Sequence, residues 1–170
     1  MKVLAEDLVK LFVQAGWTPD RRVDLTTPPP GDHPAAELLS AFAGLRIGAT
    51  GPGTECAASD IHFTQKVDEL PEALALARLL GESLIPIAET HNAHGILYIG
   101  QSGRCFGASL IDETIWSEGE SFEEAIRSLT TGRRARPILL PGQEGATLYG
   151  ETYARGDPRL YVLGEGRCEV

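Results

Sequence analysis

Cysteine is scarce in this chain: Cys56, Cys105 and Cys168 lie far apart among 170 residues and are odd in number. They form no C-x-x-C pair and no disulfide framework, which points to a reducing compartment. Lysine is as sparse, with only Lys2, Lys10 and Lys66 against a dozen arginines, and the formal net charge is -9. A sequence-independent nucleic-acid binder needs clustered Lys and Arg to neutralise phosphates, so this balance excludes that class. The same balance suits a basic protein partner, because opposed fields speed encounter. No apolar run approaches the ~20 residues of a membrane-spanning helix. Glu6, Asp7 and Lys10 interrupt the N-terminal apolar stretch and rule out a signal-peptide core, so the expected location is the cytoplasm. Phosphate-cradling glycine loops are missing as well: neither G-x-G-x-x-G nor a Walker sequence occurs.

What is present is enough for one core. Hydrophobic residues make up 42 % of the chain and charged residues 23 %, near the average of globular domains. Residues 3–15 place Leu4, Leu8, Leu11, Phe12 and Ala15 on one face, the spacing of an amphipathic helix that Gly16 ends. Trp17 follows as an anchor for that helix end. Pro28-Pro29-Pro30-Gly31 is an extended connection. A second helix is predicted over 34–43, capped by Asp32 or His33 and opened by Pro34. A third spans 71–80 between Pro71 and Gly81. Ser121-x-x-Glu124 is a capping box opening a fourth, whose apolar face is Phe122, Ala125, Ile126 and Leu129 and which Gly132 ends. Strands are expected at 45–47 and 61–63, then at about 83–89, 95–99 and 104–107 as an antiparallel meander. Two more are expected near 146–150 and 159–163.

Several short signatures stand in order along these elements. They are Gly16-Trp17-Thr18-Pro19-Asp20-Arg21-Arg22, Phe42-Ala43-Gly44-Leu45, Ile85-Pro86-Ile87 and the Gly95–Phe106 hairpin, with Ser121–Ile126 closing the series. Together they resemble the third subgroup of the SUKH superfamily of bacterial immunity proteins, across roughly residues 11 to 134. Ala43 stands where the family motif has its first glycine, and Ala88 where members often have glycine. The resemblance implies an α+β fold: a bent, mainly antiparallel sheet flanked by helices. The expected organisation is a SUKH-like domain over 1–134. Residues 135–170 lie beyond the resemblance and, from their two candidate strands, are expected as a C-terminal β extension packed on the same domain, with no role transferred to it. The resemblance also implies a partner, a cognate toxin that is often a nuclease or nucleic-acid deaminase, and no cofactor or chemistry of the chain's own.

Catalytic readings are weak beside this. His91 and His94 have H-x-x-H spacing, but a zinc site would need a further ligand such as His62 or Cys56. Exposed polar loop is the plainer reading. Cys105 on a strand has no histidine placed beside it by the sequence, and reads as a small buried apolar residue. Ser102 lies in Gly100-Gln101-Ser102-Gly103, a hairpin turn lacking the G-x-S-x-G spacing.

The feature that suggests a contact surface is acidic. Between Arg104 and Arg127 stand Asp112, Glu113, Glu118, Glu120, Glu123 and Glu124 with no basic residue, and Trp116 lies among them. Trp is enriched at interface centres and carboxylates steer a basic partner. Asp112, Glu113, Trp116, Glu118, Glu120 and Glu123 are therefore the expected partner-binding residues. The plainer reading is that Glu123 and Glu124 serve the helix N-terminus and that Trp116 is core. Three functions remain open on the sequence: a toxin-neutralising immunity protein, a non-catalytic regulatory interaction module, and a metal-dependent enzyme centred on His91 and His94.

Overall fold

The computed structural model describes residues 4–65 and 69–163, and within them every element reflects a local rule. Helix α1 (Glu6–Gln14) is the predicted amphipathic segment, and Gly16 leaves it at φ +93°. Helix α2 (Pro34–Phe42) has Pro34 in its first turn and is capped by His33. The His33 Nδ1 accepts from the Ala35 N–H at 3.1 Å while Nε2 lies 3.3 Å from the Ser83 carbonyl, so this buried imidazole joins the helix to the sheet. Arg21 donates to the Ala41 and Ala43 carbonyls at 2.6 and 2.7 Å, satisfying the end of α2 that has no intrahelical donor. That clamp explains the arginine of the Gly16–Arg22 signature. Ala43 sits at φ -52°, which any residue adopts, whereas Gly44 sits at φ +85° and needs to be glycine.

Seven strands follow one another in a single antiparallel sheet, in chain order. They are β1 (Arg46–Ile47), β2 (Ile61–Phe63), β3 (Leu84–Thr90), β4 (Gly95–Gly100), β5 (Cys105–Ser109), β6 (Ile115–Gly119) and β7 (Arg136–Ile138). Helix α3 (Pro71–Leu80) lies between β2 and β3 in the chain, and α4 (Phe122–Thr131) between β6 and β7. A two-stranded hairpin, β8 (Gly145–Leu148) and β9 (Glu151–Ala154), completes an α+β fold with a C-terminal strand hairpin. The sheet bends at bulges beside Pro86–Ala88 and Cys105–Phe106, where one strand carries an extra residue. Pro86, with no N–H to give a ladder, occupies the first of these, which accounts for a proline inside an interior strand.

The sheet is covered on both faces. On β4, Leu97 and Ile99 feed a core with α1, α2 and α4, while Ile96 and Tyr98 feed a second core with α3 and Tyr161. That is the two-residue period of a strand buried on both sides. Aromatics are few, yet Phe12, Phe42, Phe63 and Phe122 gather in the first core with ring centroids 4.3–6.3 Å apart. They join α1, α2, β2 and α4 at one point.

The predicted helices and the central meander agree with the structure to within a few residues. Two strands, β6 and β7, are absent from the sequence reading. The strand expected at 159–163 is not formed; residues 155–160 turn, and β9 lies earlier. Asp157-Pro158 stops the extended run, and Arg159 closes a bidentate pair on Asp157 at 2.8–3.0 Å. Leu160 and Tyr161 are buried by packing, without strand pairing of their own. Tyr161 N–H donates to the Pro137 carbonyl at 2.8 Å, which shields the sheet edge at β7. Cys168 lies outside the described residues.

Candidate functional site

The acidic run 112–124 folds as a turn, a strand and the start of α4, and these put its carboxylates in three different environments. Asp112 and Glu113 are exposed in the β5–β6 turn. Asp112 Oδ1 accepts from the Thr114 N–H at 3.0 Å. Partial burial raises its pKa, but the hydrogen bonds from Thr114 and Ser109 outweigh that and hold the carboxyl below its ordinary value.

The middle of the run is inside the molecule. All five β6 residues are buried, including Trp116 and Glu118. Trp116 pairs with Gly107 across the sheet, and a Cβ on Gly107 would overlap the indole, so the ring lies directly over that glycine. The Trp116 Nε1–H donates to Glu118 Oε2 at 2.6 Å. Burial pushes the Glu118 carboxyl up to about 7, with the indole hydrogen bond opposing the shift. Its charge in turn contributes to raising the Cys56, Cys105 and Tyr149 groups nearby.

At the far end of β6, about 20 Å from the turn at the rise of a strand, the carboxylates serve helix ends. Ser121 Oγ accepts from the Glu124 N–H at 3.2 Å, while the Glu124 carboxylate accepts from the Glu120 N–H at 2.9 Å, one residue earlier than a standard capping box. Glu123 accepts from the Ala5 N–H at 3.0 Å at the start of α1, and Arg127 on α4 holds Asp7 with two bonds of 2.8 and 3.0 Å. Glu120 is exposed, and Glu123 is half-buried in this helix–helix contact. The six expected partner-binding residues therefore divide into exposed Asp112, Glu113 and Glu120, the inward pair Trp116 and Glu118, and the structural Glu123.

The alternative chemistry gathers no constellation. His91 and His94 sit in the β3–β4 turn, where burial lowers the His91 pKa, Asp60 opposes and His94 adds to the lowering. His62 lies on β2, 3.5 Å from Glu89, and Cys56 touches the Arg133 carbonyl beside the end of α4. Among the described residues no three His, Cys, Asp or Glu side chains come together to hold a metal ion. Cys105 is fully buried with its thiol pushed up by desolvation, the opposite of an activated nucleophile. Ser102 is tied into the β4–β5 turn: its hydroxyl and N–H both donate to Glu82, at 3.0 and 2.7 Å, and its Oγ accepts from the Arg104 Nε–H at 3.1 Å.

Two features escaped the sequence reading. Leu110 and Ile111, in the same turn as Asp112, are exposed, Ile111 to 75 %. Two aliphatic residues at a position where a turn favours polar ones are the signal that was there to find. The other is a set of arginine–tyrosine stacks, Arg134 on Tyr149, Arg136 on Tyr161 and Arg159 on Tyr153, with centroid distances of 5.5, 5.6 and 4.5 Å. Arg134, Arg136, Tyr153 and Arg159, with Ala135, line an open cavity of about 270 Å³. Their charges are engaged, since Glu151 pairs with both Arg134 and Arg159, and Arg136 donates to the Leu160 carbonyl. This cluster clamps the C-terminal segment to the sheet.

The family model described as SUKH-3 immunity protein matches residues 32–132, from the cap of α2 to the end of α4. The chain belongs to the SUKH family of immunity proteins. The matched stretch is shorter at its N-terminal end than the run of signatures, leaving α1 and β7–β9 outside it. No curated protein and no solved structure matches the chain significantly. No helix among the described residues is long and apolar enough to cross a membrane.

Proposed function

We propose that this chain is a cytoplasmic antidote of a bacterial polymorphic toxin system, and that it acts by occupying a toxin without catalysing anything. The observation that carries this reading is the family match, which takes in six of the seven strands of the sheet and three of the four helices, α2, α3 and α4. The partner is a toxin acting on nucleic acid, whose substrate groove is basic. Support comes from the net charge of -9 and from the exposed carboxylates Asp112, Glu113 and Glu120. In this scheme Trp116 and Glu118 hold β6 in place behind that surface, and Glu123 orients α1 against α4.

Co-expression tests the reading. Cells producing the toxin encoded beside this gene should survive when the chain is present and yield a stable complex on affinity purification. Growth arrest despite soluble, folded chain would contradict it.

A further inference from the structure

The end of the sheet where β3 turns into β4 and β5 into β6 is built unlike the rest of the surface. Six large hydrophobic side chains are exposed among the described residues: Val13, Leu74, Leu79, Leu110, Ile111 and Val162. Leu110 and Ile111 are the consecutive pair among them, and Ile111 is the most exposed, at 75 %. An isolated exposed aliphatic needs no explanation, but an adjacent pair at a turn apex forms an apolar knob.

The knob is held from three sides. Ser109 Oγ accepts from the Ile111 and Asp112 N–H groups at 3.1 and 3.2 Å, fixing the turn from within. Behind it, Leu110 N–H donates to the His94 carbonyl at 2.9 Å, coupling it to the β3–β4 turn. On the third side, Thr114 Oγ1 donates to the Thr147 carbonyl of the C-terminal hairpin at 3.3 Å. The supporting β3–β4 turn is itself strained: His91, Asn92 and Ala93 stand at φ +52°, +55° and +63°, a run that side-chain-bearing residues rarely adopt. Ser59 and Asp60 hold it there, accepting from the His91 and Asn92 N–H groups at 2.8 Å each.

We infer that this knob is the anchor by which the chain docks its toxin: Ile111, flanked by Leu110, enters an apolar cleft whose rim is basic. The inference rests on the immunity reading and adds to it which surface binds and what the partner offers. Charge complementarity chooses the occupant. Asp112 and Glu113 follow Ile111 directly and are exposed, so an apolar cleft rimmed by Lys or Arg fits, whereas an acidic or purely apolar surface would leave their negative charges uncompensated. A prepositioned aliphatic residue loses little freedom on binding, which is what makes a small contact area effective. The C-terminal hairpin acquires a role here, as a brace for the turn through Thr147.

The test uses the full chain and the purified toxin domain encoded beside its gene, with affinity and association rate measured together. Ile111→Ala should weaken binding by about 30-fold or more, the range of an interface hot spot. Glu113→Lys should slow association and flatten its salt dependence. Leu79→Ala, on the exposed side of α3, should bind as the parent chain does. All three side chains point to solvent, so melting curves should coincide and exclude misfolding. Ile111→Ala and Ile111→Lys both binding within about twofold of the parent would overturn the knob while leaving the immunity reading intact. A parent chain that fails to bind the toxin at all would overturn both.

Discussion

Glu118 shows how a single residue carries a cost that its sequence position conceals. Its carboxyl is buried beside Cys56, Cys105 and Tyr149, all of them neutral near pH 7, and it accepts a hydrogen bond from the Trp116 indole. Because the folded-state value is raised from 4.5 to about 7, the native chain keeps a proton that the unfolded chain has released between those pH values. Stability therefore falls as pH rises from about 4.5 to 7, and the loss above 7 is on the order of 3 kcal/mol. Glu118→Gln keeps an acceptor for the indole and cannot ionise. The variant should melt close to the parent at pH 5 and several degrees higher at pH 8, in thermal unfolding followed across that range. A difference independent of pH would contradict the assignment. His91 acts in the other direction: its pKa is lowered in the folded chain, so its contribution is lost as pH falls below the ordinary imidazole value of 6.5.

At the scale of elements, the helices were the most legible part of the sequence because their ends are written in single residues. Pro34, Pro71 and Ser121 open three of them, and Gly81 and Gly132 close two in the left-handed conformation. Gly132 has a second duty. A Cβ there would overlap the Cys56 carbonyl, because the 53–58 segment crosses the helix end and hydrogen-bonds to Thr131 and Gly132. Gly132→Ala thus combines a φ of +68° with a backbone clash and should cost about 2 kcal/mol or more, read as a shifted midpoint in urea unfolding. An unchanged midpoint would mean that the segment can move aside freely. Strand β6 was illegible for a physical reason. Ile115-Trp116-Ser117-Glu118-Gly119 carries a carboxylate on its inward side, and a sequence does not show that an indole N–H two residues away will donate to it there. Read by charge, Glu118 belongs to a surface patch; by geometry it belongs to the interior. β7 escaped for its brevity, and the residues at 159–163 misled because Leu160-Tyr161-Val162-Leu163 is a short apolar run of the kind a strand shows, although Leu160 and Tyr161 are buried by packing without forming one.

For the molecule as a whole, the short links between apolar runs carried the antiparallel meander. The order of signatures carried the α+β class and the family, since each signature marks a place where the backbone has few alternatives. Gly44 turns left-handed, Pro86 occupies a bulge, and Arg21 closes α2. Exposed residues leave a fainter mark, because the fold does not constrain them; the aliphatic pair Leu110-Ile111 stood in the sequence, but that it is exposed did not. The most direct measurement of the central claim is a titration of this chain into a fixed concentration of the purified cognate toxin, with toxin turnover as the readout. A binder without chemistry predicts that activity falls linearly and vanishes near one chain per toxin, and that separating the pair restores it. Turnover unaffected by a large excess, or abolished by a small fraction of an equivalent and not recovered on separation, would contradict the account.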